Sequence, residues 1–273
     1  MVGRILNHAG VLTNQNKRIV KWSGGKFTSN NIGDVLNEYL FEKVFQKKAV
    51  SYRDVLNLGI PPVYSFIGSV LDNSAVKNLT VMGSGFKSAS SKMLVNPKKV
   101  ISCRGPLTRG KLISMGAEVP EIYGDPAILL PLFYNPDVEK KYKMGLIPHY
   151  VDKDLEIVKK WSGNSEVKHI DVFSNMETFV TDLKSCEFTI SSSLHGVILS
   201  HAYGIPSAWA PLSDKLVGGG FKFNDYYQSV NAECKLVRLE KFRVPAELEL
   251  HTSLPDLKSM VAKLEETFKN IEI

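Results

Sequence analysis

Short apolar runs alternate along this chain with longer segments whose apolar positions recur every three to four residues, the periods of strand and amphipathic helix. Residues 18–22 predict a strand, and a polar loop at 23–33 leads to a helix over 34–46. Leu36, Leu40 and Val44 form one stripe of that helix, with Val35 and Tyr39 beside it. Further strands are predicted at 64–67, 79–82, 99–103 and 119–123; Arg104-Gly105-Pro106 opens a helix between the last two, and Gly116 stops it. Beyond Met144 the alternation continues, with strands at 145–148, 167–172 and 206–210 and helices at 152–161 and 176–184. A short buried strand then leads through Ser191-Ser192-Ser193 into a helix opening near His195, and a last amphipathic helix covers 254–268. Strands alternating with helices predict a parallel α/β fold. The expected architecture is two Rossmann-like domains facing a cleft, 1–140 and 141–273, joined through the polar stretch 134–143, with the last helix packing back on the first domain.

Composition narrows the class without naming a task. An apolar share of 44% and a charged share of 23% are those of a globular protein. The net charge of +6 suits anionic partners, but the basic residues are dispersed and carry no nucleic-acid motif, so nucleic acid is not expected. Three widely spaced cysteines, Cys103, Cys186 and Cys234, make neither a disulfide framework nor a zinc pattern, and no metal is expected. The chain shows no signal-peptide apolar region and no apolar run near the ~20 residues needed to span a bilayer, so the expected location is cytoplasmic. Its basic balance suits peripheral contact with the inner membrane face.

Open α/β sheets bind ligands beyond the carboxyl ends of their strands, and four loops fall there. Asn31-Ile32-Gly33-Asp34 offers a carboxylate that either caps the helix or acts on a sugar hydroxyl. Gly83-Ser84-Gly85-Phe86-Lys87 lets a ligand approach the backbone, although it is neither a Walker loop nor a dinucleotide fingerprint. Arg104 directly follows a strand, where a guanidinium aimed into the cleft grips a carboxylate or phosphate; Arg109, further along the helix, reads as a surface or structural residue. Ser193-Leu194-His195-Gly196 places hydroxyls and free helix N–H groups beside an imidazole, which suits an anion with proton transfer next to it; a capped core helix is the alternative. His201 reads as structural, and Asp125 either as a turn residue or as a second candidate base.

In this order the motifs resemble the polysaccharide pyruvyl transferase family, most closely its smaller bacterial exopolysaccharide and capsule members. The resemblance is carried by Asn31-Ile32-Gly33-Asp34, Gly83-Ser84-Gly85, Arg104-Gly105-Pro106-Leu107-Thr108-Arg109, Tyr123-Gly124-Asp125-Pro126-Ala127, Gly145-Leu146-Ile147-Pro148-His149, and Ser193-Leu194-His195-Gly196 with Gly204-Ile205-Pro206. It implies a GT-B-like fold and phosphoenolpyruvate as donor substrate, with no cofactor. The implied product is a pyruvate ketal across two hydroxyls of a hexose in a polymeric or lipid-linked acceptor. It also implies donor binding by Arg104, Ser193 and Leu194, with Gly83 and Ser84 nearby, His195 as general acid and Asp34 as base. Some members carry arginine where this chain has Ser193, which leaves Lys215, Lys222 or Arg109 to compensate. The competing readings are a GT-B glycosyltransferase using a nucleotide sugar and a non-catalytic glycan- or anion-binding protein. The aromatic run from Phe221 to Tyr227 reads either as a sugar-stacking surface or as a packed segment.

Overall fold

The computed structural model describes residues 2–23, 31–214 and 218–273; positions 24–30 of the polar loop and Lys215 lie outside the described residues. Two wholly parallel sheets form the frame. Helix α1 (Val2–Thr13) precedes β1 (Lys17–Lys21), α2 (Ile32–Phe45), β2 (Lys48–Ser51), β3 (Val63–Ser65), β4 (Leu79–Met82), β5 (Lys99–Ser102) and α3 (Pro106–Ser114). These strands stand in the order β2-β1-β3-β4-β5. A 3-10 stretch at Pro126–Leu132 leads to β6 (Tyr142–Ile147), α4 (Glu156–Ser162), β7 (Val167–His169), α5 (Met176–Lys184), β8 (Cys186–Ser191), α6 (Leu194–Ala202) and β9 (Ser207–Trp209). The second sheet is ordered β7-β6-β8-β9, and α7 (Phe221–Ser229), α8 (Pro245–Glu249) and α9 (Lys258–Lys269) complete the chain. No described helix is long and apolar enough to cross a membrane.

The helix predicted over 34–46 begins earlier, at Ile32. Asn31 is its N-cap and its side chain accepts from the Gly33 N–H, so Asp34 sits within the first turn and is not the cap. Leu36, Leu40 and Phe41 are its buried face. The strand predicted at 119–123 reduces to a single bridge between Tyr123 and Cys103, because Pro120 lacks a donor and Glu121 is exposed. The helix predicted from 152 starts only at Glu156, since the Asp152 carboxylate is held by Ser192 and Ser213 in the preceding turn. Helix α1 and strand β2 lie outside the predicted elements.

One hydrophobic cluster runs through both sheets. Leu36, Leu40 and Phe66 from the first half meet Ile147, Val197 and Tyr226 from the second, with the Pro126–Leu132 stretch between them. Helix α9 closes this cluster from the first half's side, where the Phe268 ring lies 5.5 Å from that of Phe45 and 5.6 Å from that of Phe66. The consequence for function is positional: loops at the carboxyl ends of β1, β3, β6 and β8 all open onto one hollow.

Candidate functional site

The hollow is lined by Ser23 after β1, Gly33 and Asp34 at the start of α2, Gly68 and Ser69 after β3, Lys87, His149 after β6, Ser193-Leu194-His195 after β8, and Lys222 on α7. Its cavity volume is about 140 Å³. That is near the ~150 Å³ that admits one benzene ring in an engineered cavity, so it takes a small guest and leaves anything larger in the open.

Helix α6 starts at the floor of this hollow. Ser193 holds the N-cap position but makes no side-chain cap bond, contrary to the capping that its hydroxyl suggests. The neighbouring serines work elsewhere: Ser191 Oγ donates to Ile147 O, while Ser192 Oγ accepts from the His149 N–H and donates to Asp152 Oδ2. The first-turn N–H groups of α6 therefore remain open to an anion.

His195 is clasped between two glycines. A Cβ on Gly33 would come 2.1 Å from His195 Nδ1, so the backbone closes on the imidazole there only because the side chain is missing; at Gly68, where a Cβ would rest 3.6 Å from Cε1 in ordinary contact, glycine serves the backbone φ of +95. On the other side, Nε2 faces Asp125 Oδ2 at 3.6 Å and has no hydrogen-bond partner. Asp125 is fully buried and fixed, accepting from the Gly68 and Ala127 N–H groups. The imidazole is thus seated between the Gly33 backbone and a fixed carboxylate, with its ring at the wall of the hollow. Asp125, named as a second candidate base, stands behind the histidine as its partner.

Asp34 enters the same hollow. Burial raises its pKa, while His195, the Ser23 N–H, Arg53 and Lys87 pull it back. Lys222 has its pKa pushed down to about 8, first by burial and then by Arg104 and Lys87, with Asp152 opposing. Burial, then Lys222 and His195, push His149 down to about 3, so it is a neutral imidazole at neutral pH; its Nδ1 accepts from the Val151 N–H. His149 carries no role in the sequence expectations, although its place just beyond a strand is the available signal. Lys87, at the end of the glycine loop, was overlooked in the same way. Among the described residues no cluster of three or more His, Cys, Asp or Glu side chains suits a metal ion.

Arg104 does not reach the hollow, a correction to the expectation that it points into a cleft opposite His195. Its guanidinium is wholly enclosed. Nε donates to Asp225 Oδ2 at 2.9 Å, Nη2 to Phe86 O and Nη1 to Ser69 Oγ, both at 2.6 Å. Thr108 completes the set by donating from its N–H and Oγ1 to the same carboxylate. Ser69, which accepts from Arg104, itself lines the hollow. The motif glycines serve this arrangement: a Cβ on Gly85 would meet Arg104 Cζ at 2.6 Å, and one on Gly105 would meet Asp225 O at 2.0 Å.

Gly83 and Ser84 also lie away from the hollow. Ser84 Oγ bonds Ser65, and Gly83, with φ +115, lies against Pro126 of the turn that presents Asp125 to His195. Arg109 faces outward, donating to Val119 O and pairing with Glu121. The run from Phe221 to Tyr227 is packed rather than sugar-facing: Phe223 stacks on Trp209, and Tyr226 and Tyr227 are buried. Of the sequence-predicted site residues, His195, Asp34, Ser193 and Leu194 share the hollow; Lys222 joins them.

The family model described as polysaccharide pyruvyl transferase matches residues 14–211. An uncharacterized protein of Acanthamoeba polyphaga mimivirus is 33% identical over 205 residues, covering 72% of this chain and 69% of that protein. The succinoglycan biosynthesis protein ExoV of Rhizobium meliloti is 28% identical over 211 residues, 73% of this chain but only 61% of its own length. Among solved structures, a functional uncharacterized protein of Klebsiella pneumoniae superposes with a TM-score of 0.47 at 16% identity, covering 83% of this chain and 94% of that one.

Proposed function

This chain belongs to the polysaccharide pyruvyl transferase family, and from that premise we propose that it takes pyruvate from phosphoenolpyruvate and sets it as a ketal across two hydroxyls of a hexose in a polysaccharide or lipid-linked precursor. The similarity to a succinoglycan biosynthesis protein supports an exopolysaccharide acceptor. The observation that carries the reading is the imidazole of His195, backed by buried Asp125 at 3.6 Å and sharing one hollow with Asp34, Lys87 and Lys222.

Phosphoenolpyruvate carries a carboxylate and a phosphate, so its site needs cations and N–H donors. Lys222, Lys87 and the open first turn of α6 supply them. His195 delivers a proton to the methylene carbon while one sugar hydroxyl adds to the neighbouring carbon and gives its proton to Asp34. The carbon–oxygen bond to phosphate then breaks, and the second hydroxyl captures the oxocarbenium-like centre. Of the two hydroxyl protons, one replaces the proton spent on the new methyl group and the other leaves with phosphate. Raised basicity at Asp34 suits a base working near neutral pH. Arg104 acts in this reading by fixing Ser69 and α7, the helix of Lys222, and not by touching the donor. Two Rossmann-like units, 1–140 and 141–273, meeting in a GT-B-like manner at the hollow complete the reading, at the inner face of the membrane.

The test is incubation with phosphoenolpyruvate and a panel of hexose diols, following phosphate release and the ketal methyl signal by NMR. Release coupled to ketal formation is expected. A melting temperature raised by UDP or GDP and not by phosphoenolpyruvate would favour nucleotide-sugar chemistry instead.

A further inference from the structure

A second hollow adjoins the first and shares Ser23, Ser69, Val70 and Lys87 with it. Lys21, Trp22, Tyr52, Arg53 and Asp72 complete its walls, and its cavity volume is about 260 Å³, against about 140 Å³ for its neighbour. We infer that this hollow is the acceptor subsite and that it takes an anionic saccharide, a sugar carrying a phosphate or carboxylate group. The inference rests on the pyruvyl-transfer reading for the adjoining hollow.

Two observations carry it. The first is charge. Lys21, Arg53 and Lys87 share this wall with one carboxylate, Asp72, while Asp34 across the shared edge also acts on Arg53 and Lys87; among the described residues none of the four wall residues is in a salt bridge. Their known bonds are to backbone: Lys21 Nζ donates to Val70 O, Arg53 Nη2 to Ser23 O, and Asp72 Oδ1 accepts from the Lys87 N–H. A concave wall whose three cations outnumber the carboxylates that reach them concentrates anions. Burial and the nearby Lys87 hold Lys21 down to about 8, with Asp72 opposing, so a bound anion would firm up its charge. The second observation is shape and surface. Trp22 and Tyr52 offer two partly buried aromatic faces for the apolar side of a sugar ring, and Asp72 an acceptor for its hydroxyls. The shared wall at Ser23 and Ser69 puts such a ring directly beside Asp34 and His195, where its hydroxyl pair must react.

The experiment measures binding of a neutral hexose, the matching hexose 1-phosphate and the matching hexuronate to this chain by calorimetry, with phosphoenolpyruvate titrated separately. One or both charged sugars are expected to bind about tenfold more tightly than the neutral one, as a charge-assisted hydrogen bond provides. The phosphate and uronate arms tell the two anion sources apart. Arg53→Gln, at an exposed position, is expected to erase that preference and leave phosphoenolpyruvate affinity within about twofold. Tyr52→Ala is expected to weaken all three sugars, with an unchanged unliganded melting temperature as the control for folding. Equal binding of neutral and charged sugars, no binding of any, or a loss of phosphoenolpyruvate affinity in Arg53→Gln would overturn the assignment; the last would make this hollow part of the donor site. Failure of phosphoenolpyruvate to bind the wild type would instead refute the pyruvyl-transfer reading.

Discussion

Arg104 and His195 come from the two halves of the chain and follow strands of different sheets, β5 and β8, yet the protein treats them in opposite ways. Around Arg104 every direction is filled by protein: a carboxylate, a carbonyl and a hydroxyl take its donors, and the motif glycines exist to let those partners close in. Around His195 the protein also closes in, through Gly33 and Gly68, but leaves Nε2 without a hydrogen bond and the first turn of α6 without a side-chain cap. A satisfied, enclosed cation supports a wall; a half-buried imidazole that lines the hollow, with a carboxylate behind it and an uncapped helix start beside it, is placed to meet a guest. Residues that look equally chemical in sequence thus separate into scaffold and site once their hydrogen bonds are counted.

The largest effect that sharpens this contrast belongs to His195. His195→Ala is expected to lower the rate of ketal formation by about 10²–10⁴-fold, the usual worth of a general acid. Its melting temperature should stay close to that of the wild type, since no hydrogen bond is lost at Nε2. A variant that keeps its rate would remove the proton donor from the mechanism.

Breaking the other region should register as stability. Asp225→Ala leaves a guanidinium buried without its carboxylate and is expected to cost about 3–5 kcal/mol in denaturant unfolding. The paired exchange Arg104→Met with Asp225→Leu should recover part of that loss, because two apolar side chains remove the unpaired charge but leave the Thr108 N–H and the Phe86 carbonyl without partners. If the folded double variant binds phosphoenolpyruvate as the wild type does, Arg104 is dispensable for seating Ser69 and Lys222, and its positioning role falls.

Gly33→Ala tests the seat of the imidazole. The added methyl would stand 2.1 Å from Nδ1, so the ring must turn away from Asp125, and a fall of roughly tenfold to a hundredfold in rate is expected. Gly33 is helical with ordinary φ, so little of this should appear as lost stability. Equal rates for Gly33→Ala and wild type would show that the ring position is unimportant.

Acid titration probes the buried histidines. His149 and His201 have folded pKa values depressed to about 3 and about 4, chiefly by burial, against 6.5 unfolded. Between those values the unfolded chain binds protons that the folded chain refuses. Their contribution is therefore intact above pH 6.5 and is lost as pH falls, by at most ~1.4 kcal/mol per pH unit for each. His149→Gln should flatten that slope between pH 6 and 4, measured by urea midpoints; an unchanged slope would mean that the imidazole protonates freely.

Legibility in the sequence followed how much of each pattern is set locally. Strand β4 and helix α5 stand where apolar spacing predicts them, because Leu79–Met82 is buried throughout and α5 shows one clean stripe, Met176, Phe179, Val180 and Leu183. Helix α1 was missed because much of its apolar face, Val2, Ile5, Leu6 and Leu12, lies exposed, and strand β2 because only Ala49 of its residues is buried. The site was legible to the extent that loops after strands converge, which brings His195, Ser193 and Asp34 together. Asp225 was not legible: it meets Arg104 across 121 residues, and no local spacing marks an acidic residue on an aromatic helix as the partner of a guanidinium. Arg104 therefore read as a ligand anchor when its partner was in the chain.

The smallest effect belongs to Arg109, the other motif arginine. Its Nη1 lies 3.2 Å from Glu121, whose side chain is 72% exposed, and its Nε donates to Val119 O. An exposed ion pair is worth about 0–1 kcal/mol, and salt screens it further. Arg109→Ala is accordingly expected to shift the unfolding free energy by no more than ~1 kcal/mol. It should leave the Michaelis constant for phosphoenolpyruvate unchanged, since the guanidinium faces away from the hollow. The same substitution at two salt concentrations separates the possibilities: a difference that shrinks with salt is the surface pair, whereas a raised Michaelis constant would place Arg109 in the compensating role left open by Ser193 and return that role from Lys222.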